Sequence, residues 1–120
     1  MRRTVSLLLV LSLIAAVAAG CGSGGGGGGK AQVLKPGEQI SMKGLRFHPD
    51  HAQVTVGQKV TWVDDESVPH DVKADSGASF ASDTFGHHGT FSYTPTKAGT
   101  IKYECTLHPG MTGKLTVVAK

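Results

Sequence analysis

From Glu38 onward the sequence consists of short runs of alternating apolar and polar residues, separated by glycine, proline and other turn-forming residues. Such alternation is typical of β-strands that bury one face, and no segment shows a sustained helical period. Because no helix is available to connect parallel strands, these runs predict an all-β fold, an antiparallel Greek-key β-sandwich. The predicted strands are residues 40–47 with a bulge at Gly44, 53–56 and 59–63 joined by a tight turn at Gly57, 72–74, 90–94, 100–105 and 113–118.

Residues 1–20 differ from the rest of the chain and are predicted to be a secretory signal peptide. Met1 is followed by two arginines, and residues 5–19 are almost entirely apolar or small. This run is short for a membrane span, and it closes on small residues directly before Cys21. The pattern resembles a bacterial lipoprotein signal, in which the cysteine becomes the lipidated first residue of the mature chain. Ordinary cleavage, which leaves Cys21 as a free thiol, is the alternative.

Residues 21–30 are interpreted as the lipidated cysteine and a flexible glycine-rich tether. Gly24 to Gly29 are consecutive glycines, which cannot bury apolar surface. A random coil of about nine residues spans roughly 15–20 Å. We therefore expect residues 31–120 to form one exported, monomeric domain. Lipid on Cys21 would hold it at the outer face of a cell membrane or in the periplasm.

The charge of the chain does not favour a nucleic-acid partner. The net charge is +3, and removal of Arg2 and Arg3 with the signal leaves ten basic and nine acidic residues, a net charge of +1. The charges alternate in sign along the domain, and no basic cluster is interleaved with aromatic residues. Nucleic acid is therefore not a predicted partner.

Cys105 is the only thiol of the predicted domain, because the other cysteine of the chain lies in the processing site. An immunoglobulin-like domain has a similar strand outline, but its inter-sheet disulfide needs a second cysteine within the domain. An unpaired cysteine in an oxidising compartment is well explained by metal binding as a thiolate. The alternative is an inert buried thiol.

The segment Cys105-x-x-His108-x-x-Met111 predicts a metal site at the end of a strand. Zinc binds cysteine and histidine but rarely a thioether, whereas this donor set suits both oxidation states of copper. A trigonal site of two histidines and one cysteine, with a long axial methionine bond, is the blue-copper arrangement, so a second histidine is required. Of the six histidines, His70 is the best placed, since it follows a predicted strand and turn beside Pro69. Taken alone, Met111 could equally be a core methionine.

These residues resemble the plastocyanin-like cupredoxins, a family of blue copper proteins, over residues 40–118. The short spacing of the second motif is most similar to that of the amicyanin group. The resemblance implies a cupredoxin-like sandwich with one type 1 copper ion cycling between Cu(I) and Cu(II). It implies His70, Cys105 and His108 as equatorial ligands and Met111 as the axial ligand.

The predicted function is electron transfer rather than catalysis. With all four coordination positions filled by protein, no open site remains for a substrate. We expect a type 1 copper protein that shuttles single electrons between transient redox protein partners outside the cytoplasm. In the family the second ligand histidine reaches the surface within an apolar patch, for which Val68, Pro69, Leu107 and Pro109 are the candidates here. A copper carrier or sensor and a purely structural adhesion domain are the alternatives.

Further polar residues near the predicted site keep their interpretation open. The family usually has asparagine directly after the first ligand histidine, where it ties the two ligand loops together, and Asp71 stands in this place. For His87 and His88 the interpretations are a second surface metal site, a partner contact and a solvated loop. Residues 64–66 are an acidic docking patch or a solvated turn.

Overall fold

The computed structural model describes residues 30–120, which form nine β-strands and no helix. The strands are β1 (Gln32–Val33), β2 (Gln39–Met42), β3 (Phe47–His48), β4 (His51–Thr55), β5 (Val60–Asp64), β6 (Lys73–Ser76), β7 (Thr90–Tyr93), β8 (Gly99–Glu104) and β9 (Thr112–Val118). The predicted signal peptide and residues 21–29 of the predicted tether lie outside the described residues. In the described part of the chain, no helix has the length and apolar character needed to cross a membrane.

The strands form two sheets, with the orders β1-β4-β9-β8-β6 and β3-β2-β5-β7. The predicted all-β sandwich is confirmed. The sheets are mixed rather than purely antiparallel, because β4 pairs in parallel with β1 and β9, and β2 pairs in parallel with β5. These parallel pairs need no connecting helix, since the chain crosses from one sheet to the other between the strands that pair.

The turn at Gly57 shows how this crossing occurs. The two predicted strands on either side of the turn are present as β4 and β5, but they do not pair with each other. The Gly57 N–H donates to the Pro95 carbonyl at 2.8 Å, and the Val56 N–H donates to the Val118 carbonyl at 2.9 Å. The turn is therefore held by both sheets and carries the chain between them.

The predicted bulge at Gly44 is a tight turn. Met42 at the end of β2 pairs antiparallel with Phe47 at the start of β3. Gly44 has a φ of 64° and Leu45 a φ of 56°, so two successive residues adopt the left-handed region. The Leu45 side chain is 46% exposed, whereas Phe47 is buried. The change of phase thus comes from a chain reversal rather than from an extra residue within one strand.

Aromatic rings from both sheets fill the space between them. Trp62 on β5 and Tyr103 on β8 are fully buried, with ring centroids 5.3 Å apart and an interplanar angle of 80°. Phe47 also packs against Tyr103, with centroids 4.8 Å apart. Burial raises the pKa of Tyr103, so its phenol stays neutral. Trp62, Phe47 and Ile101 are buried in this core, and Phe91 and Tyr93 are half-buried against it.

Gly113 on β9 leaves the space that the Tyr103 ring occupies. A Cβ atom at residue 113 would lie 2.3 Å from Tyr103 Cζ, well inside van der Waals contact. The ring has little freedom to move away, because Trp62 and Phe47 pack against it. Close packing of this kind requires glycine at residue 113.

We predict that Gly113→Ala lowers the free energy of unfolding of the apo-protein by about 1–3 kcal/mol, the usual cost of overpacking a core. Urea denaturation of the two proteins measures the difference. Gly86→Ala is the matched control, because nothing lies within 4 Å of its Cβ position and its φ is not left-handed. Equal unfolding midpoints for Gly113→Ala and the wild type would contradict the packing argument.

Candidate metal centre

His70 is held in place by a backbone bridge to Phe85. The His70 N–H donates to the Phe85 carbonyl, and the Phe85 N–H donates to the His70 carbonyl, both at 2.9 Å. The loop between β5 and β6 therefore has a fixed point at His70, shortly before β6 begins at Lys73. The His70 side chain is fully buried. Its position is set by backbone pairing rather than by side-chain packing alone.

Cys105, His108 and Met111 lie in the loop that joins the antiparallel strands β8 and β9. The Cys105 N–H donates to the Met111 carbonyl at 2.9 Å, and the Met111 N–H donates to the His108 carbonyl at 3.2 Å. Gly110 has a φ of 82°, a conformation that is strained for other residues. These bonds fold residues 105–111 into one compact turn.

Three potential ligand atoms converge where the two segments meet. Cys105 Sγ lies 3.6 Å from His70 Nδ1 and 3.5 Å from His108 Nδ1. All three atoms lie within 4.8 Å of one another. Cys105 is a buried free thiol, His108 is half-buried, and Met111 is only 2% exposed. The structure thus brings three of the predicted ligand atoms together, and the fourth predicted ligand, Met111, is buried in the same loop as Cys105 and His108.

The separation of the donor atoms fits a single small ion. Bonds of about 2.0–2.1 Å to imidazole nitrogen and about 2.3 Å to thiolate sulfur put these atoms roughly 3.5–3.8 Å apart in a trigonal arrangement. The observed separations of 3.6 and 3.5 Å agree with this requirement. A thiolate with two imidazoles and a nearby thioether is a soft donor set that suits copper. Among residues 30–120, no other group of three His, Cys, Asp or Glu residues is placed to hold an ion.

The remaining histidines of the described chain lie away from this cluster. His87 and His88 stack with ring centroids 3.7 Å apart in an exposed loop, without a third ligating side chain. His48 Nε2 lies 2.9 Å from a backbone carbonyl, and His51 Nε2 lies 2.9 Å from the Thr116 hydroxyl. Among residues 30–120, no third His, Cys, Asp or Glu side chain joins His87 and His88 in a metal-ligating group.

Glu66 contacts the second ring nitrogen of His70, a contact that the sequence analysis missed. Glu66 Oε1 lies 2.7 Å from His70 Nε2. Because an ionised carboxylate can only accept, Nε2 carries the proton and donates to Glu66, and Nδ1 of the same ring faces Cys105. The backbone N–H groups of Gly44 and Leu45 also donate to Glu66, at 2.9 and 3.1 Å. The only available signal in the sequence was the four-residue spacing between Glu66 and His70.

The hydrogen bonds to Glu66 also determine its charge state. Burial raises the pKa of Glu66, but donation from Leu45, His70 and Gly44 outweighs burial and leaves the pKa below its ordinary value of 4.5. A carboxyl with a lowered pKa stabilises the folded state fully above pH 4.5. This stabilisation is lost as the pH falls through the lowered pKa. Near neutral pH the centre therefore has an anion on its His70 side.

Asp71 connects the two segments that carry the predicted ligands. It follows His70 directly, and its contact residue, Thr106, follows Cys105 directly. The Thr106 N–H donates to Asp71 Oδ1 at 2.6 Å, and the Thr106 hydroxyl donates to Asp71 Oδ2. The loop-tying contact that the family resemblance assigns to asparagine is made here by a carboxylate.

Further acidic side chains border the segment that carries Cys105. The charge of Asp75, and then a hydrogen bond to it, raise the pKa of Glu104 above its ordinary value of 4.5. Burial and the charge of Asp71 raise this pKa further, while Lys73 opposes them. The surface beside the start of the ligand loop is therefore acidic.

Exposed apolar side chains flank both ligand segments. Val68 is 39% exposed and Leu107 is 44% exposed, and the two prolines of the predicted apolar patch, Pro69 and Pro109, are exposed as well. Leu45 lines a surface cleft together with Pro109 and Met111. The turn between β2 and β3 thus lies beside the ligand loop.

Comparison with known proteins agrees with this geometry. The family model described as copper binding proteins, plastocyanin/azurin family, matches residues 34–118. The chain is similar to amicyanin of Paracoccus denitrificans, with 32% identity over 91 residues that cover 72% of this chain and 70% of that protein. It is also similar to plastocyanin of Sambucus nigra, with 35% identity over 100 residues that cover 72% of this chain and 98% of that protein.

Solved structures show the same relationship. The structure of an oxidised amicyanin variant superimposes with a TM-score of 0.62 and 32% sequence identity, covering 73% of this chain and 82% of that one. A Cu(I) form of another amicyanin variant gives the same values. The resemblance to plastocyanin-like cupredoxins is thereby confirmed. This chain belongs to the copper-binding plastocyanin/azurin family.

Proposed function

We propose that this protein is a type 1 copper electron-transfer protein that exchanges single electrons with protein partners outside the cytoplasm. The observation that carries the proposal is the convergence of Cys105 Sγ with the Nδ1 atoms of His70 and His108 in one largely buried site. Membership of the copper-binding family supports the same function. The centre is proposed as an electron carrier and not as the active site of an enzyme.

The proposed equatorial ligands are His70 and His108 through Nδ1 and Cys105 through Sγ, with the thioether of Met111 as the axial ligand. Glu66 supports this assignment, because it holds the proton of His70 on Nε2 and leaves Nδ1 free to bind a metal. Met111 is buried in the hydrogen-bonded loop that starts at Cys105. Together these residues fill the positions of a four-ligand site, so none remains for a substrate.

Bound copper supplies a one-electron couple between Cu(I) and Cu(II). The protein supplies a site whose parts are fixed independently of the ion. The Phe85 bridge holds the His70 backbone, Glu66 holds its ring, and the Cys105 N–H bond to the Met111 carbonyl closes the other segment. Ligands held in this way move little when the charge of the site changes, which favours fast electron transfer.

The proposed contact surface for redox partners surrounds His108. This side chain is half-buried, so its ring lies between the buried thiol and the solvent. Val68 and Leu107 are exposed on the two flanking segments. A small apolar surface of this kind suits transient complexes, which bury little area and dissociate quickly.

We further propose that residues 1–20 direct export and that lipid on Cys21 anchors a monomeric domain to a membrane through the glycine tether. The sequence pattern before Cys21 supports the lipid, and the glycine run supports the flexibility of the tether. The contact surface around His108 would then be free to meet partners at some distance from the membrane.

The copper assignment predicts an intensely blue protein after Cu(II) is added to the apo-form, with the colour reversibly bleached by a reductant. Cys105→Ser should abolish the colour, because a hydroxyl is a poor substitute for a thiolate.

Met111→Leu should retain copper but have a higher reduction potential, because it removes a donor that stabilises Cu(II). Visible and electron paramagnetic resonance spectra, with redox titration, measure these effects. A colourless wild-type protein that prefers zinc would refute the assignment.

The contact surface predicts that Leu107→Lys slows electron self-exchange by about tenfold or more, because the apolar surfaces of two encountering molecules are replaced by like charges. The spectrum and potential should stay close to those of the wild type. Line broadening in nuclear magnetic resonance spectra of mixed Cu(I) and Cu(II) samples measures the rate. Val33→Lys is the matched control, since Val33 is 63% exposed on the edge strand β1. Immeasurably slow exchange in the wild type, with copper passing to an apo-acceptor, would favour a copper carrier instead.

The anchor proposal predicts that Cys21→Ser moves the protein from the membrane fraction to the soluble fraction of the expressing bacterium without changing its colour. Fractionation and mass spectrometry of the mature N-terminus measure both points. Gly24→Ser leaves Cys21 in place and should remain in the membrane fraction. A soluble, unacylated wild-type protein would show that cleavage leaves a free thiol.

A further inference from the structure

We propose that Asp71 is a positioning residue that lowers the reduction potential of the centre, by tying the two ligand segments together and by placing a negative charge beside them. The inference rests on the proposed electron-transfer function. Asp71 stands where the family usually has asparagine, so a carboxylate at this position is particular to this chain.

The contact between Asp71 and Thr106 is two-pronged. One carboxylate oxygen accepts from the Thr106 N–H at 2.6 Å, and the other accepts from the Thr106 hydroxyl. Each of these residues is next in sequence to a proposed ligand, His70 or Cys105. The two hydrogen bonds therefore fix the distance between the segment that carries one imidazole and the segment that carries the thiolate.

The charge of Asp71 is not offset by its own contact. Both donors come from Thr106, which is uncharged, so the bridge brings no cation to the carboxylate. Glu66 adds a second carboxylate, in contact with the His70 ring. Asp75 forms a further acidic pair with Glu104, which directly precedes Cys105. Lys73 is the cation that acts on the same stretch of β6 and β8. The centre thus has an excess of negative charge on this side.

The sign of the effect follows from the electron count. Reduction adds one electron to the bound ion, converting Cu(II) to Cu(I), and needs no proton or change of covalent bonds in the protein. A nearby anion interacts more favourably with the more positive oxidised form. It therefore shifts the equilibrium toward Cu(II) and lowers the potential.

Asp71→Asn removes the negative charge and keeps the bridge to Thr106. The amide oxygen can accept from the Thr106 N–H, and the amide NH₂ can donate to the Thr106 hydroxyl oxygen, so both contacts persist with one reversed. Asp71→Ala removes the bridge and the charge together. Glu38→Gln is the charge control, because Glu38 is exposed and precedes β2, at the opposite end of that strand from Met42.

The experiment compares the wild type with these three variants by optical redox titration and by hydrogen exchange of the Thr106 amide in the apo-proteins. Poised at the wild-type midpoint, Asp71→Asn should show a ratio of Cu(I) to Cu(II) about fivefold or more above that of the wild type, with Thr106 still protected. Asp71→Ala should lose protection of the Thr106 amide by about tenfold or more. Glu38→Gln should change neither quantity.

Two results would overturn the inference. An unchanged ratio in a blue, fully protected Asp71→Asn protein would show that the charge has no role. Unchanged Thr106 exchange in Asp71→Ala would show that the bridge has none. If Asp71→Ala fails to fold, Asp71→Asn alone decides, since it keeps the shape of the side chain. Failure of the proposed function appears separately, as a wild type without blue colour, while apo-protein exchange still reports on the bridge.

Discussion

The antiparallel pairing of β8 with β9 is the constraint on which the candidate metal centre depends. The two strands pair without interruption from Gly99 with Val117 to Glu104 with Thr112, and residues 105–111 begin where the pairing ends. The bond from the Cys105 N–H to the Met111 carbonyl continues this pairing into the loop. Three potential ligands are consequently confined to one turn. The packing of Tyr103 against the facing sheet anchors the same hairpin in the core.

The second sheet determines where the remaining histidine meets this turn. Strand β5 carries Trp62, whose ring packs against Tyr103 of β8. This contact fixes the position of β5 relative to β8. The chain leaves β5 through an acidic turn whose first residue, Asp64, is buried and accepts a hydrogen bond from the Glu66 N–H at 2.9 Å. Glu66 then holds the His70 ring. Two hydrogen bonds, from the Glu66 N–H to Asp64 and between Glu66 and His70, thus link the position of the His70 imidazole to the core.

Carboxylates around the centre combine a structural and an electrostatic effect. Glu66 accepts from two backbone N–H groups of the turn between β2 and β3, and Asp71 accepts from one in the ligand loop. These loop N–H groups thereby gain acceptors that are stronger than a neutral carbonyl. The carboxylates of Glu66 and Asp71 also place negative charge beside the site. This charge affects the relative stability of its two oxidation states. Loop geometry and redox equilibrium are therefore coupled through the same side chains.

The sequence by itself determined most of the strands and the ligand motif, although β1 was not predicted and β3 was predicted as part of one bulged strand with β2. Alternation reports directly on the burial of one strand face, and residues as close as Cys105, His108 and Met111 share a loop in any fold that has a strand on each side of them. Strand partners were decided only by the tertiary structure. Consecutive strands β4 and β5 belong to different sheets, because pairing depends on which faces can be buried together rather than on sequence order. For the same reason the Asp71–Thr106 bridge, which joins residues 35 positions apart, and the bond from Glu66 to His70 required the folded chain.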